Sequence, residues 1–521
     1  MLSTAWNRFR HDIDYYSAMF AVFVVGLLTP VVMIVLSVAG LPTAATAVLG
    51  LAVGAVLFVV GVPLVPAEWR AVLRTKPLVV KVLWSVAVLA VVAVLARLAQ
   101  FMIDPHQSQS SLSPDDDFLL QHTHLSGYIS GALVAEHDPD NLYNRHRYDS
   151  AEADDVLPSV LPQERDVYLY PPPFLLLPRV LLLFSGEFHA LRSLWYALYV
   201  AVVLLAMLAI ARWIGGRQGA ILAACTPVVW ASLPTLATLQ LGNIHVLILY
   251  VGGVGAMVLF AKGKHALGGA ALAFAIVAKV SPAILLVYLL AQRKWKPLGW
   301  TAGFGAIYAV ATYAVFGWGP WKQFLSNGTW QQLASGEYHE WVLVDRANQL
   351  VNYSPFGLPY KIQIMGWDFG DPTGPARLIT DVYTLALVAL VAVTALRVRR
   401  RVAAGADGSR FRAENLAIWL AVLTLASFRA PFGPWVYIAV GAIWLFAVYA
   451  GLMRATAARI AVLVAAWLIV AVYAENVYFT LVAQTIVYVG CFAIAWRASA
   501  GTEPDESATS PADPARAVTT S

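Results

Sequence analysis

Charged residues are scarce in this 521-residue chain, since only 12% of its residues are Asp, Glu, Lys or Arg and 60% are hydrophobic. So small a polar fraction cannot cover the surface of a water-soluble globule of this size. Apolar runs of roughly 18–24 residues recur instead, which is enough to cross a hydrocarbon layer about 30 Å thick. The composition excludes a soluble globular protein and predicts an all-α polytopic membrane protein.

Cysteine is almost absent, and both Cys225 and Cys491 lie inside apolar runs, so no disulfide framework is expected. No small-residue cleavage site follows the first apolar run, and we expect a retained helix there rather than a removed signal peptide. A basic patch is also absent, because the net charge of +5 comes from residues spread over short loops. No nucleic-acid partner is therefore predicted.

The apolar runs long enough to be counted as spans, with two short helices at 267–292, predict about 12–14 transmembrane helices. The run 267–292 is interrupted by Lys279, Ser281 and Pro282. Because proline lacks an N–H and clashes with the preceding turn, we expect two short helices forming a hairpin there. The apolar piece 173–184 is too short for a crossing and is predicted to be re-entrant or interfacial.

Lysine and arginine occur in clusters that all fall on one side when the spans are threaded. These clusters lie at 70–76, 212–217, 262–264, 293–296, 397–401, 454–459 and 497. Short cytoplasmic loops are enriched in Lys and Arg, so this side and both termini are predicted to be cytoplasmic. Two long loops, 104–172 and 317–376, are then extracytoplasmic.

The first long loop contains the stretch SPDDDFLLQHTHLSGYISG from Ser113 to Gly131. Three consecutive aspartates are most often a solvated loop. Here the run follows a helix end closely, and the segment after it has near-helical apolar spacing that favours an interfacial helix. A carboxylate at that boundary can act as a general base, bind a divalent metal or stay hydrated. We expect no metal, because three adjacent side chains do not all point to one centre.

Several short motifs follow one another along the chain. They are Asp117–Phe118, Gly131, Leu142–Tyr143, Tyr170–Pro171–Pro172, LQLGNIHVLIL at 239–249 and GGAALAFAIVAKVSPAILLVYLLAQRKWK at 268–296. Their order and spacing resemble glycosyltransferase family 87. Members of that family are polyprenyl-phosphate-sugar-dependent membrane enzymes with the C-type glycosyltransferase (GT-C) fold, and they include bacterial mannosyltransferases.

The resemblance implies a GT-C-type bundle with two large extracytoplasmic loops and an aspartate of the first outer loop as catalytic base. By position this is Asp117, with Asp116 and then Asp115 as alternatives. The base would take the proton of an acceptor hydroxyl that attacks the anomeric carbon, and the lipid phosphate would leave without an acid, with inversion. The implied donor is a polyprenyl-phosphate hexose, mannose for example, and the acceptor an extracytoplasmic lipid or glycan. No cofactor is implied, and the location is the cytoplasmic membrane with the site on its outer face.

Four parts of the chain are predicted. Residues 1–81 form an N-terminal transmembrane pair with a cytoplasmic start, and 82–400 form the GT-C-like catalytic module with outer loops 104–172 and 317–376. Residues 401–498 form C-terminal transmembrane helices, and 499–521 form a polar tail predicted to be disordered and cytoplasmic.

Further substrate-binding candidates are Lys279, His245, Asn243, Gln240 and Arg429 near predicted outer helix ends, His339 in the second outer loop, and His124 and Tyr170 in the first. A charged side chain at membrane depth is costly unless paired or snorkelling, so phosphate contact is one interpretation of Lys279 and Arg429 and headgroup anchoring is the other. The amides and imidazoles could contact sugar or phosphate, or could hydrogen-bond between helices.

Two other classes of function compete with the enzyme. A transporter or lipid-linked-sugar flippase usually keeps charges near the bilayer midplane and often has inverted repeats. A non-catalytic scaffold is the third possibility. The polar residues here gather in two outer loops, which favours the enzyme.

Overall fold

The computed structural model describes residues 6, 9, 13–149, 159–326, 329–335 and 340–501. Within these ranges the chain is built from helices and contains no β-strand. The helices of the first half are α1 (Tyr15–Val38), α2 (Thr43–Gly61), α3 (Ala67–Arg74), α4 (Leu78–Ile103), α5 (Asp117–Gln121), α6 (His124–His137), α7 (His146–Asp149), α8 (Leu176–Leu181), α9 (Phe188–Ile214), α10 (Gly216–Trp230), α11 (Leu233–Leu241) and α12 (Gly255–Ala261).

The second half continues with α13 (His265–Ala278), α14 (Ile284–Ala291), α15 (Trp295–Phe316), α16 (Gly319–Ser326), α17 (Thr329–Ser335), α18 (Glu340–Leu343), α19 (Arg346–Val351), α20 (Leu358–Ile364), α21 (Thr373–Ala403), α22 (Gly408–Ser427), α23 (Trp435–Ala450), α24 (Ala457–Ala471) and α25 (Val477–Ala500). Leu247–Val254 winds as a π-helix that leads into α12. Short 3₁₀ turns lie at Val62–Leu64, Ser108–Ser110, Pro139–Asn141, Pro172–Leu175, Ser281–Ala283 and Pro355–Gly357.

The prediction of an all-α polytopic membrane protein is confirmed. Seven helices of the described chain are long and apolar enough to cross a membrane, and α10 with α11, bent by 64°, would make an eighth span. Several other predicted spans are apolar helices of only 10–17 residues. The sequence count of 12–14 included these shorter runs, whereas seven or eight elements of the described chain are both long enough and apolar enough to cross.

Two predicted interruptions are present. α13 ends at Ala278, Lys279 has extended backbone angles, and a 3₁₀ turn at Ser281–Ala283 precedes α14. The Pro172–Leu175 turn and the six-residue α8 form the short element predicted after the first outer loop. Proline stands at the start of both turns, where its missing N–H removes no helical hydrogen bond.

The interfacial interpretation of the segment after the aspartates is wrong. α6 is buried at every position from Leu125 to Ala132, so it lies inside the protein rather than along a membrane surface. Its glycines allow this burial. A Cβ at Gly131 would lie 2.4 Å from the Tyr168 ring, and one at Gly127 would lie 3.1 Å from the Asp166 carbonyl oxygen. The returning chain at 166–168 therefore packs directly on α6.

Loops that carry lysine and arginine meet at one end of the bundle. Arg412 donates to the carbonyl of Trp213 (3.0 Å), and Arg401 donates to the carbonyl of Ala498 (2.8 Å). Arg497 contacts the Tyr449 hydroxyl near the end of α23. Because α23 runs from Trp435 to Ala450, its start lies at the opposite end. The end of α4 lies there too, beside the start of α9, where Ser193 donates to the carbonyl of Met102.

Candidate active site

Polar side chains from distant parts of the chain converge on Tyr437, in the first turn of α23. The His124 Nε2 atom hydrogen-bonds the Tyr437 hydroxyl, and the Asn243 side chain lies next to this residue. The His245 ring stacks on the Tyr437 ring with centroids 6.2 Å apart. We call His124, Asp166, Asn243, His245 and Tyr437 the Tyr437 cluster.

Asp166 enters the cluster through His124. The His124 Nδ1 atom lies 2.9 Å from Asp166 Oδ2. The Ser126 hydroxyl fixes the approach, because it donates to the Glu164 carbonyl (2.9 Å) and accepts from the Asp166 N–H (2.9 Å). Carboxylate, imidazole and phenol thus form a continuous hydrogen-bonded chain, an arrangement suited to holding and moving a proton.

Asp166 and His122, the second imidazole close to this carboxylate, both have lowered pKa values. Burial, with the nearby His124, lowers the pKa of His122 to about 4, and the charge of Asp166 opposes this only in part. Burial raises the pKa of Asp166, but the hydrogen bond from His124 and the charges of His124 and His122 outweigh it, so the net shift is downward. Asp166 is therefore a carboxylate and His122 a neutral imidazole near neutral pH.

Two groups beside the cluster have no partner of their own. His245 is 3% exposed, and neither of its ring nitrogens has a hydrogen-bond partner within the described residues. Lys279 lies close enough for its charge to act on His245. It makes no hydrogen bond or ion pair with the described side chains. An imidazole and an ammonium left unpaired at this depth are a ready binding place for an anion.

The predicted bases lie at the protein surface beside this cluster. Asp115, Asp116 and Asp117 are all exposed. The Asp116 carboxylate accepts from the Leu119 N–H (3.0 Å) and so caps α5, in which Asp117 is the first residue. Phe118 stacks on the His122 ring at 4.7 Å. Phe118, directly after Asp117, thus connects α5 to His122, while the three carboxylates stay exposed at the surface.

Gln240 fixes the aspartate loop in place. Its Oε1 accepts from the Leu112 N–H (2.7 Å), and its Nε2 donates to the Leu119 carbonyl (2.6 Å). The oxygen and the nitrogen of the side-chain amide are thereby hydrogen-bonded to the backbone before and after the three aspartates. The predicted sugar contact is thus, in this structure, a clamp on the loop.

Tyr170 connects the first long loop to the segment 243–245. Its hydroxyl contacts the Tyr128 hydroxyl (3.1 Å), and the Tyr128 hydroxyl accepts from the Ile244 N–H (3.0 Å). Arg429, just beyond α22, is half-buried, with no side-chain partner in the described chain. His339 lies outside the described residues. The structure therefore joins His124, Asn243, His245 and Tyr170 in one region, with Lys279 beside it.

The second long loop holds Tyr437 in position. Asn352 donates to the Pro431 carbonyl (2.9 Å) and accepts from the Gly433 N–H (2.9 Å). The Ser354 hydroxyl donates to the same Pro431 carbonyl (2.7 Å). These buried bonds fix the turn that precedes α23. Both long loops thus contribute to one site.

Sequence reasoning missed Asp166 and Tyr437. Asp166 opens the DVYLYPPP stretch, of which only Tyr170–Pro171–Pro172 belongs to the family-like motifs. Its position four residues before Tyr170 was the available signal. Tyr437 lies in an apolar helix and carries no local signal, because its role depends on His124, 313 positions away.

The sequence model of glycosyltransferase family 87 matches residues 168–427. The matched part contains Tyr170, the 239–249 segment and the helix break at Lys279, whereas Asp117, Asp166 and Tyr437 lie outside it. No curated protein and no solved structure is found to match the chain. Family match, all-helical membrane architecture and a polar site at one bundle end agree, and the chain belongs to glycosyltransferase family 87.

Proposed function

We propose that this membrane glycosyltransferase moves a hexose, such as mannose, from a polyprenyl phosphate to a lipid or glycan acceptor at the outer face of the cytoplasmic membrane. One observation carries the proposal. Lys279 and His245, both without partners in the described chain, lie beside a chain of acid, imidazole and phenol. A binding place for an anion and a proton-handling group thus adjoin each other.

The unpartnered cation suits a lipid-phosphate donor. Lys279 lies between two short apolar helices, so a phosphate at this depth would have a polyprenyl chain in apolar surroundings. An ammonium and an imidazole that meet a phosphate gain charge-assisted hydrogen bonds, which are roughly twice as strong as neutral ones. These bonds would strengthen as the phosphate takes up the charge of the broken bond.

Asp117 is the proposed base for the acceptor hydroxyl. The Asp116 carboxylate already caps α5, whereas no described group hydrogen-bonds the Asp117 carboxylate. Its exposure leaves it accessible to an acceptor outside the membrane. Asp117 would take the hydroxyl proton while the acceptor oxygen bonds the anomeric carbon and the bond to the phosphate oxygen breaks. One displacement of this kind inverts the anomeric configuration.

The test measures sugar transfer by the purified full-length protein in nanodiscs, with polyprenyl-phosphate mannose or glucose and extracted envelope lipids. Asp117→Asn should lower the initial rate at least about 100-fold. The matched control is Asp140→Asn, an exposed acid of the same loop whose pair with Lys322 is at the surface. Surface pairs contribute little, so this control should retain activity.

Equal rates for Asp117→Asn and the wild type would overturn the assignment of the base. Absence of product with either donor, together with movement of labelled polyprenyl-phosphate sugar across liposomes, would replace the transferase with a flippase. An anomeric configuration retained in the product would refute the single displacement.

A further inference from the structure

His122, His124 and Asp166 place three metal-ligating atoms within 4.8 Å of one another, and within the described residues theirs is the one such group. We propose that these three side chains bind a divalent transition metal, Zn²⁺ by the chemistry of the donors. Two imidazoles and one carboxylate, with positions left open, form a ligand set of catalytic zinc sites. The sequence expectation of no metal was based on the adjacent aspartates 115–117 with nearby histidines and did not include Asp166.

The spacing of the ligand atoms suits zinc. The Asp166 Oδ2 atom lies 2.9 Å from His124 Nδ1 and 3.8 Å from His122 Nε2. With bonds of about 2.0–2.1 Å, tetrahedral zinc separates its ligand atoms by about 3.3 Å. The two observed distances lie on either side of that value, so small side-chain rotations would complete the site.

His124 and Asp166 are each held in orientation by a hydrogen bond at the atom that would not bind the metal. The Nε2 atom of His124 is held by the Tyr437 hydroxyl, which leaves Nδ1 facing Asp166. The Oδ1 atom of Asp166 accepts from the Val167 N–H (2.8 Å), which leaves Oδ2 facing both imidazoles. Ligands in metal sites are normally fixed in this way by outer hydrogen bonds.

A simple ion pair does not account for His122. The pair of His124 and Asp166 is already complete, and 3.8 Å is too long for a hydrogen bond from His122 Nε2. Yet the His122 ring is held between Phe118, stacked at 4.7 Å, and His124, perpendicular at 4.6 Å. Its nitrogen is thereby aimed at the same carboxylate oxygen. The three side chains are 17–25% exposed, so an ion can enter.

Metal binding itself does not depend on the proposed function, whereas its role does. A bound divalent metal would act as a Lewis acid toward a phosphate oxygen. His122, His124 and Asp166 would hold it, and Tyr437 would orient His124.

The test measures metal content and affinity without any sugar substrate. The full-length protein, purified through a histidine-free tag and stripped with a chelator, is titrated with Zn²⁺ against a chromophoric chelator and, separately, with Co²⁺ by visible absorption. We expect one equivalent of Zn²⁺ and the intense absorption of low-coordinate Co²⁺. His122→Ala should weaken Zn²⁺ binding at least about 100-fold, and Tyr437→Phe about 10–100-fold as an outer partner.

His137→Ala is the matched control, because His137 is an exposed imidazole at the end of the same helix α6. It should bind like the wild type. Wild-type binding well below one equivalent, or equal affinity in His122→Ala and His137→Ala, would overturn the proposal. Stoichiometric Zn²⁺ without sugar transfer would leave the site standing and refute the proposed function alone. Asp166→Asn, which keeps the shape of the carboxylate, provides a second test should His122→Ala fail to fold.

Discussion

The two ends of the helix bundle differ in whether their charged and polar side chains have partners within the described chain. At the end where the lysine- and arginine-rich loops meet, Glu414 is 1% exposed and pairs with Arg401 and Arg410. Arg401 also donates to the Ala498 carbonyl (2.8 Å). At the other end, Lys279 and His245 have no partner among the described side chains.

This difference separates structural charges from functional ones. A buried charge is costly unless it is paired, and polar groups in the interior are normally hydrogen-bonded. Glu414 satisfies this requirement inside the chain. Lys279 and His245 do not, so a ligand must supply what they lack. The same physical rule thus predicts opposite outcomes for substitutions at the two ends.

The largest expected effect on stability is at the paired end. Glu414→Ala leaves Arg401 and Arg410 without their common carboxylate, and breaking such a pair typically destabilises by about 3 kcal/mol or more. We expect poor recovery of monodisperse protein and a clear loss of apparent Tm in detergent. An unchanged elution profile and Tm would contradict a structural role for the pair.

At the unpaired end we expect loss of activity without loss of stability. Lys279→Met removes a cation that has no partner in the described chain, so the apparent Tm should stay unchanged or rise. The rate of sugar transfer should fall about 100-fold, as when one donor to a developing anion is removed. Kinetics and thermal unfolding of the same preparation check this. A drop in Tm like that of Glu414→Ala would mean that Lys279 supports the fold instead.

A smaller effect is expected where the end of the first long loop packs on α6. Gly131→Ala places a Cβ 2.4 Å from the Tyr168 ring, and overpacking of this kind costs typically about 1–3 kcal/mol. Since Tyr168 follows Asp166 closely, transfer should slow as well. Gly303→Ala is the control, because a Cβ at this helical glycine has open space. It should be neutral or slightly stabilising, and an equal response of the two variants would refute the packing argument.

Features that depend on residues close to one another along the chain were predictable from the sequence. Apolar length gave the all-α membrane class, and the interruption at Lys279–Pro282 gave the paired short helices. The number of full crossings was less accessible, because a short buried helix such as α23 and a spanning helix are equally apolar. Helix α22 shows the opposite case, since it has 20 residues and is buried from Ala413 to Ser427, but its first turns carry charge.

The site itself was only partly predictable. His124, Asn243 and His245 were identified as substrate-binding candidates, but their meeting point, Tyr437, is set by tertiary packing. Gln240 was assigned to substrate, and its two loop contacts appear only in three dimensions. A polar residue in an apolar sequence marks a required hydrogen bond, and the sequence does not say whether the partner is the chain or a ligand.

Lys361 tests an intermediate case with the smallest expected effect, because it is a buried lysine whose partners are uncharged. It is 0% exposed, donates to Gln484 Oε1 (3.0 Å) and lies 4.9 Å from the centre of the Tyr353 ring. Burial lowers the pKa of Lys361 from 10.5 to about 7. Between these values the unfolded chain holds a proton that the folded chain has lost, so stability should rise with pH across this window and stay flat below it. The apparent Tm of the wild type, measured from about pH 6.5 to about pH 9, should therefore increase by a few degrees more than that of Lys361→Met. Parallel curves for the two proteins would show that Lys361 keeps its charge and that neutral partners suffice to hold a buried cation in this fold.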